Sequence, residues 1–194
     1  MIEELAERLA EYFVRSGQIA EEDTPLYALG FEVVLSTLLT AAAICLAGFF
    51  LHNVAGAVVF LLCFSHIRND SGGFHASTRW RCFFTSVFCY LATYGAVFCM
   101  GRLPGVLRIA AVLAVSLSSA AAFYIWAPVE NKNKRLPPDW KKRNRGRTFV
   151  SVGIWLFVAA VCLVIWPKLA WQIFATVWVV AVLLLFAEEK RTYK

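Results

Sequence analysis

Six long apolar runs, separated by short polar breaks, set the pattern of this chain. The first covers roughly Pro25–Phe50 and ends at the turn Leu51-His52-Asn53. The second, Val54–Ile67, has only 14 residues, whereas about 20 helical residues are needed to cross a ~30 Å hydrocarbon core. Either its helix continues through Arg68–Ser71 toward the headgroups, or the segment is only partly inserted. Further runs cover Cys82–Met100, Val106–Ala127, Phe149–Trp166 and Leu169–Ala187. Runs this long and this poor in charge predict an all-α polytopic membrane protein with about six transmembrane helices. The whole chain, 1–194, reads as a single integral-membrane domain.

The first 24 residues follow another period. Ile2, Leu5, Leu9, Tyr12 and Phe13 share one helical face, and Glu3, Glu4, Glu7 and Glu11 lie elsewhere. This predicts an amphipathic helix at the interface or against the spans. Its acidic start lacks the basic character of a cleavable signal, so the chain is expected to insert through its own spans. Thr24 as a cap and Pro25 in the first turn mark the start of the first span.

Composition agrees with the pattern. Hydrophobic residues make up 60% and charged residues 16% of the chain, against about 25% charged in soluble domains. Charge then orients it. Sixteen Lys and Arg residues fall in the N-terminal segment, the 68–81 break, the 128–148 loop and the tail, and only Arg102, Arg108 and Lys168 fall on the other face. The positive-inside rule puts both termini, the loop and the 68–82 segment in the cytoplasm.

Candidate chemistry concentrates in the break after the second run, Arg68-Asn-Asp-Ser-Gly-Gly-Phe-His-Ala-Ser-Thr-Arg-Trp-Arg-Cys82. It holds an imidazole, His75, and a thiol, Cys82, which are the pair that cysteine peptidase chemistry needs. The other five cysteines, Cys45, Cys63, Cys89, Cys99 and Cys162, lie in apolar runs with no CxxC pair, as buried apolar residues do. On one straight helix, seven residues would separate the two alpha carbons by about 10.5 Å along the axis, too far for proton exchange. A break at Ser71-Gly72-Gly73 is therefore expected. Ser77 or Thr78 would cap the following helix. Arg79, Arg81 and the helix dipole would favour the thiolate. Asp70 either orients His75 or pairs with Arg68. Glu32 is an acid inside the first span; it either pairs with a basic residue near the cytoplasmic face or reaches the headgroups.

Arg68, Gly73-Phe74-His75-Ala76 and Cys82 resemble the signature of the accessory gene regulator protein B (AgrB) family. Ala127-Pro128-Val129-Glu130-Asn131-Lys132-Asn133-Lys134-Arg135-Leu136-Pro137 resembles the family's segment after the fourth span. The specific likeness covers about 25 residues; elsewhere it is one of size and layout. The resemblance implies a bacterial cell-membrane cysteine endopeptidase, a thiol protease of quorum sensing. Cys82 would be the nucleophile, His75 the general base, and Arg68 and Gly73 supporting residues. Its substrate would be a short AgrD-like propeptide with an amphipathic start and an acidic tail. That peptide is cleaved through a thioester and cyclised to a thiolactone or lactone autoinducer. The resemblance is compatible with a homodimer and implies no cofactor.

Lys132, Lys134, Arg135, Lys141, Lys142 and Arg143 give the 128–148 loop its charge. They suit topology control and anionic lipid, and also steering of an acidic peptide tail. With one aromatic, Trp140, against a membrane, the loop does not suit nucleic acid. Two other readings compete. A noncatalytic transporter or channel would need polar residues through several spans, where the sequence has mostly Ser and Thr besides Glu32. Zinc on Cys63, His66, His75 and Cys82 lacks any supporting spacing, so no metal is expected.

Overall fold

The computed structural model describes residues 2–72, 79–129 and 138–192, with side chains of the last segment described from 143 to 186. Seven α-helices are present among them: α1 (Ile2–Arg15), α2 (Thr24–Phe50), α3 (Val54–Ser71), α4 (Arg79–Arg102), α5 (Gly105–Trp126), α6 (Pro138–Ile165) and α7 (Pro167–Thr192). A single 3-10 turn at Glu21–Asp23 leads into α2. Five of the helices, α2 and α4 to α7, contain stretches long and apolar enough to cross a membrane.

The short second run resolves as a helix that keeps going. α3 continues past Ile67 through Arg68, Asn69 and Asp70 to Ser71. Its 18 residues span about 27 Å at 1.5 Å per residue. The helix is shorter than its neighbours but closely surrounded, with Gly56, Ala57, Phe60, Cys63, Phe64, Ile67 and Ser71 buried. It makes the sixth member of a layout of one amphipathic helix followed by six helices.

α7 is the hub of the bundle, packing on α3, α4, α5 and α6. More than half of its apolar stretch is buried, which sets it apart from the other spans. Lipid tails are as apolar as leucine, so helices in a bilayer associate through close packing and polar contacts. Both are present. A Cβ added at Gly48 of α2 would lie 2.6 Å from the Ala57 Cβ of α3, so the missing side chain lets these helices approach. Gln172 of α7 is buried; its Nε2 donates to Thr93 Oγ1 of α4 at 2.6 Å. Its Oε1 accepts from Asn53 Nδ2 in the α2–α3 turn at 3.5 Å.

α1 packs on α2 as an amphipathic helix, but through a narrower face than the sequence suggests. Ala6 and Ala10 are buried and Phe13 stacks on Phe31, with ring centroids 5.3 Å apart. Leu5 and Tyr12 of the same apolar stripe stay exposed. Thr24 is not the cap expected of it; it is the first residue of α2, and its Oγ1 donates back to the Glu21 carbonyl at 2.6 Å.

The 128–148 segment is not a loop throughout. α6 starts at Pro138, well before the apolar run at Phe149, so Lys141, Lys142 and Arg143 belong to a helix. Proline suits the first helical turn, and lysine and arginine are good helix formers. Arg145 fastens this basic turn to α5, with Nη2 donating to the Tyr124 carbonyl at 2.9 Å and the guanidinium 5.3 Å from the Tyr124 ring.

Candidate functional site

The site is built where α3 ends and α4 begins. Residues 68–82 do not form one helix: α3 stops at Ser71, and Gly72 takes φ +68° and ψ −147°. That conformation is open essentially to glycine alone. The segment after α5 packs against this stop. The Val129 N–H donates to the Ser71 carbonyl at 3.0 Å, and Gly72 and Val129 form a parallel bridge. A Cβ on Gly72 would lie 2.3 Å from the Val129 carbonyl oxygen. Two stretches far apart in sequence, the end of α3 and the segment following Trp126, thus make one corner.

Helical geometry splits the last turns of α3 between two neighbours. Residues two apart point about 200° apart around the axis. Arg68 therefore faces α4, while His66 and Asp70, four apart, both face α6. On the α4 side the Arg68 guanidinium sits over Cys82, with Nη2 and Nη1 at 3.9 and 4.0 Å from Sγ. The Phe64 ring, 5.4 Å from the guanidinium carbon, backs it from one turn below. Cys82 is the fourth residue of α4 and half-buried.

On the α6 side lies a polar chain. Trp155 Nε1 donates to His66 Nδ1 at 3.2 Å, His66 Nε2 lies 3.2 Å from Ser151 Oγ, and Ser151 Oγ donates to Asp70 Oδ2 at 2.5 Å. An indole N–H only donates, so Nδ1 accepts and the imidazole proton sits on Nε2. His66 then donates to Ser151, and the Ser151 proton points at Asp70. Ser, His and Asp are close together here, yet the proton order is wrong for a serine nucleophile with a histidine base. The chain acts as a clasp between α3 and α6.

Of the expected site residues, Arg68 and Cys82 come together. Asp70 is engaged by Ser151, with His66 Nε2 3.9 Å away. His75, Gly73, Lys132, Lys134 and Arg135 lie outside the described residues, as do Ser77 and Thr78. Lys141 and Lys142 have described backbone only, and Arg143 is exposed. Glu32, whose partner the sequence left open, forms an ion pair with Arg79 Nε.

The family model described as "AgrB: Accessory gene regulator B" matches residues 6–187. The chain belongs to the AgrB family. No curated protein and no solved structure matches it. AgrB membership carries a part in accessory gene regulation and in processing of a peptide, with an AgrD-like propeptide as the implied substrate. The match runs through α1 and all six later helices, so it covers this multi-pass frame and not only the site.

Sequence reasoning missed the clasp in this AgrB protein. His66 read as one polar residue in an apolar run. The available signal was paired spacing: His66 and Asp70 four apart on α3, Ser151 and Trp155 four apart on α6. Both ring nitrogens of His66 are turned to α6, which also removes the geometric case for His66 as a metal ligand beside Cys82.

Proposed function

We propose that this AgrB protein is a membrane cysteine endopeptidase that cleaves a quorum-sensing propeptide and supports its cyclisation. The observation that carries the reading is the Cys82 thiol in the first turns of α4 under the Arg68 guanidinium. It lies near the point where α3 ends at Ser71, in a chain of the AgrB family.

In this reading His75 removes the Cys82 proton and the thiolate attacks a peptide carbonyl. The C–S bond forms, and the carbonyl oxygen becomes an oxyanion that Arg68 is placed to stabilise. The intermediate collapses with loss of the C–N bond. Protonated His75 gives its proton to the leaving amine, and the C-terminal fragment departs. The N-terminal part stays on Cys82 as a thioester. A cysteine of the substrate then passes its proton to His75, now neutral, and attacks that thioester; the bond to the Cys82 sulfur breaks, His75 returns the proton to it, and a thiolactone is closed (a serine would give a lactone). Exchange of one thioester for another is nearly isoenergetic, so the acyl bond energy is retained. The end of α3 at Ser71 supports this reading, because one straight helix would hold His75 and Cys82 about 10.5 Å apart along its axis.

The basic residues Lys132, Lys134, Arg135, Lys141, Lys142 and Arg143 fit the same reading as attractors of an acidic peptide tail and of anionic lipid. The AgrB protein would lie in the bacterial cell membrane with both termini and the site on the cytoplasmic side, where sixteen basic residues fall.

The test is co-expression with the propeptide, followed by mass spectrometry of the products. Wild type is expected to release the C-terminal fragment and a cyclic peptide. Cys82→Ala and His75→Ala are each expected to lower processing by at least about 1,000-fold, as losses from a nucleophile–base pair do. Full processing by Cys82→Ala excludes the proposal.

A further inference from the structure

We infer that Glu32 is a positioning residue for Cys82, acting through Arg79; the inference rests on Cys82 being the nucleophile. Glu32 lies eight residues past Thr24, about 12 Å along the axis of an otherwise apolar helix. Its side chain is 12% exposed and forms an ion pair with Arg79 Nε. A charged group in a span is costly and persists where it is paired and used.

Arg79 stands three residues before Cys82, so the two side chains leave α4 about 60° apart. One turn of α4 thus carries both the arginine held by α2 and the thiol that faces Arg68 of α3. α4 packs mainly on α7 and α2 and barely touches α3. The distance between Arg68 and Cys82 is therefore set by the other neighbours of α4, which are α7 through the bundle and α2 at the first turn. Side-chain packing does not fill that role fully. A cleft of about 160 Å³ opens beside the ion pair, walled by Ile2 of α1, Leu39 of α2, and Trp80 and Phe83 of α4. Across that gap the Glu32–Arg79 contact fixes the rotation and height of the first turn of α4, and with them the thiol.

The test uses the full-length protein in proteoliposomes. Two rates are read: alkylation of Cys82, located by peptide mass spectrometry, and cleavage of the propeptide. Glu32→Gln and Arg79→Gln are each expected to slow both rates by about tenfold, as small misplacements of a reacting group do. The exchange Glu32→Arg with Arg79→Glu rebuilds the pair and is expected to restore both rates to within about threefold, with the wild-type pH profile of alkylation. If the single variants do not accumulate, Glu32→Asp carries the test: the charge stays but is one methylene short, and about a threefold slowing is expected. Wild-type rates in the single variants, a wild-type rate in Glu32→Asp, or an exchange variant as slow as the single ones would overturn the inference. Alkylation needs no propeptide, so a failure of the peptidase reading leaves this readout standing.

Discussion

Arg68→Gln is expected to slow alkylation of Cys82 at neutral pH and propeptide cleavage by tenfold to a hundredfold. The guanidinium nitrogens lie 3.9 and 4.0 Å from Sγ. Two unit charges about 4 Å apart interact by about 1 kcal/mol in water and about 4 kcal/mol at an effective dielectric constant of 20. Loss of ~1.4 kcal/mol of stabilisation of the attacking sulfur already corresponds to a factor of ten in rate. The two readouts separate two roles. If Arg68 acts on the thiolate alone, both rates fall together. If it also stabilises the oxyanion of the tetrahedral intermediate, cleavage falls further than alkylation. Arg68→Lys keeps the charge but not the fork that spans the sulfur, and is expected to recover alkylation more than cleavage. Alkylation unchanged in Arg68→Gln would show that the contact with Cys82 has no bearing on the thiol.

The second large effect is expected at a residue with no reactive group. Gly72→Ala should lower the melting temperature in detergent and reduce propeptide cleavage at least about tenfold. Two independent costs act at this position. The backbone, at φ +68° and ψ −147°, is in a region where a side chain costs about 1–3 kcal/mol. The new Cβ would also lie 2.3 Å from the Val129 carbonyl oxygen, so the segment after α5 has to move. That movement breaks the Val129 N–H to Ser71 bond, which ties off α3 three residues beyond Arg68. Scanning calorimetry and the cleavage assay together check it. A variant with wild-type melting and wild-type cleavage would mean that this corner does not hold the site. Gly48→Ala serves as a comparison: its added Cβ would meet Ala57 at the other end of α3, so it should lower melting with a smaller effect on Cys82 chemistry.

Most of the fold was legible in the sequence because a bilayer leaves few options. Long apolar runs must be helices, and the runs at Pro25–Phe50, Cys82–Met100, Val106–Ala127 and Leu169–Ala187 correspond closely to α2, α4, α5 and α7. Where reading fell short, hydropathy was the wrong signal. α6 begins at Pro138, because charged residues with long side chains continue a helix as readily as apolar ones, and of the two alternatives for the second run the helix that continues through Arg68–Ser71 is the one found. Hydropathy records where lipid ends, not where a helix ends.

The site was legible in part for a similar reason. Glycines between an apolar run and a thiol announced a chain break, and α3 does end at Ser71 with Gly72 in a conformation suited to glycine. Partner choice was not legible. Asp70 had two candidate partners, and the structure turns it to Ser151 of α6, a helix that hydropathy alone cannot place beside α3. Glu32 had two candidate fates, and Arg79 settles which. The pairing of Gly72 with Val129 likewise depends on α5 returning to the end of the bundle where α3 stops.

These contacts assign separate tasks to the two faces of α3. His66 and Asp70 clasp α6, which holds the helix in place, while Arg68 meets the thiol on α4. Glu32 and Arg79 hold α4 from the other side. Cys82 thus sits on a helix that packs little on α3, with Arg68 of α3 at its sulfur and the Glu32–Arg79 pair tying its first turn to α2.

The most direct measurement is the intact mass of the purified protein, in liposomes, quenched in acid during reaction with the propeptide. The expected result is a transient increase equal to the N-terminal fragment, mapped to Cys82, removed by hydroxylamine as a thioester is, and absent in Cys82→Ala. Propeptide cleaved at the wild-type rate by Cys82→Ala, or an acyl adduct mapped to another residue, would contradict the account.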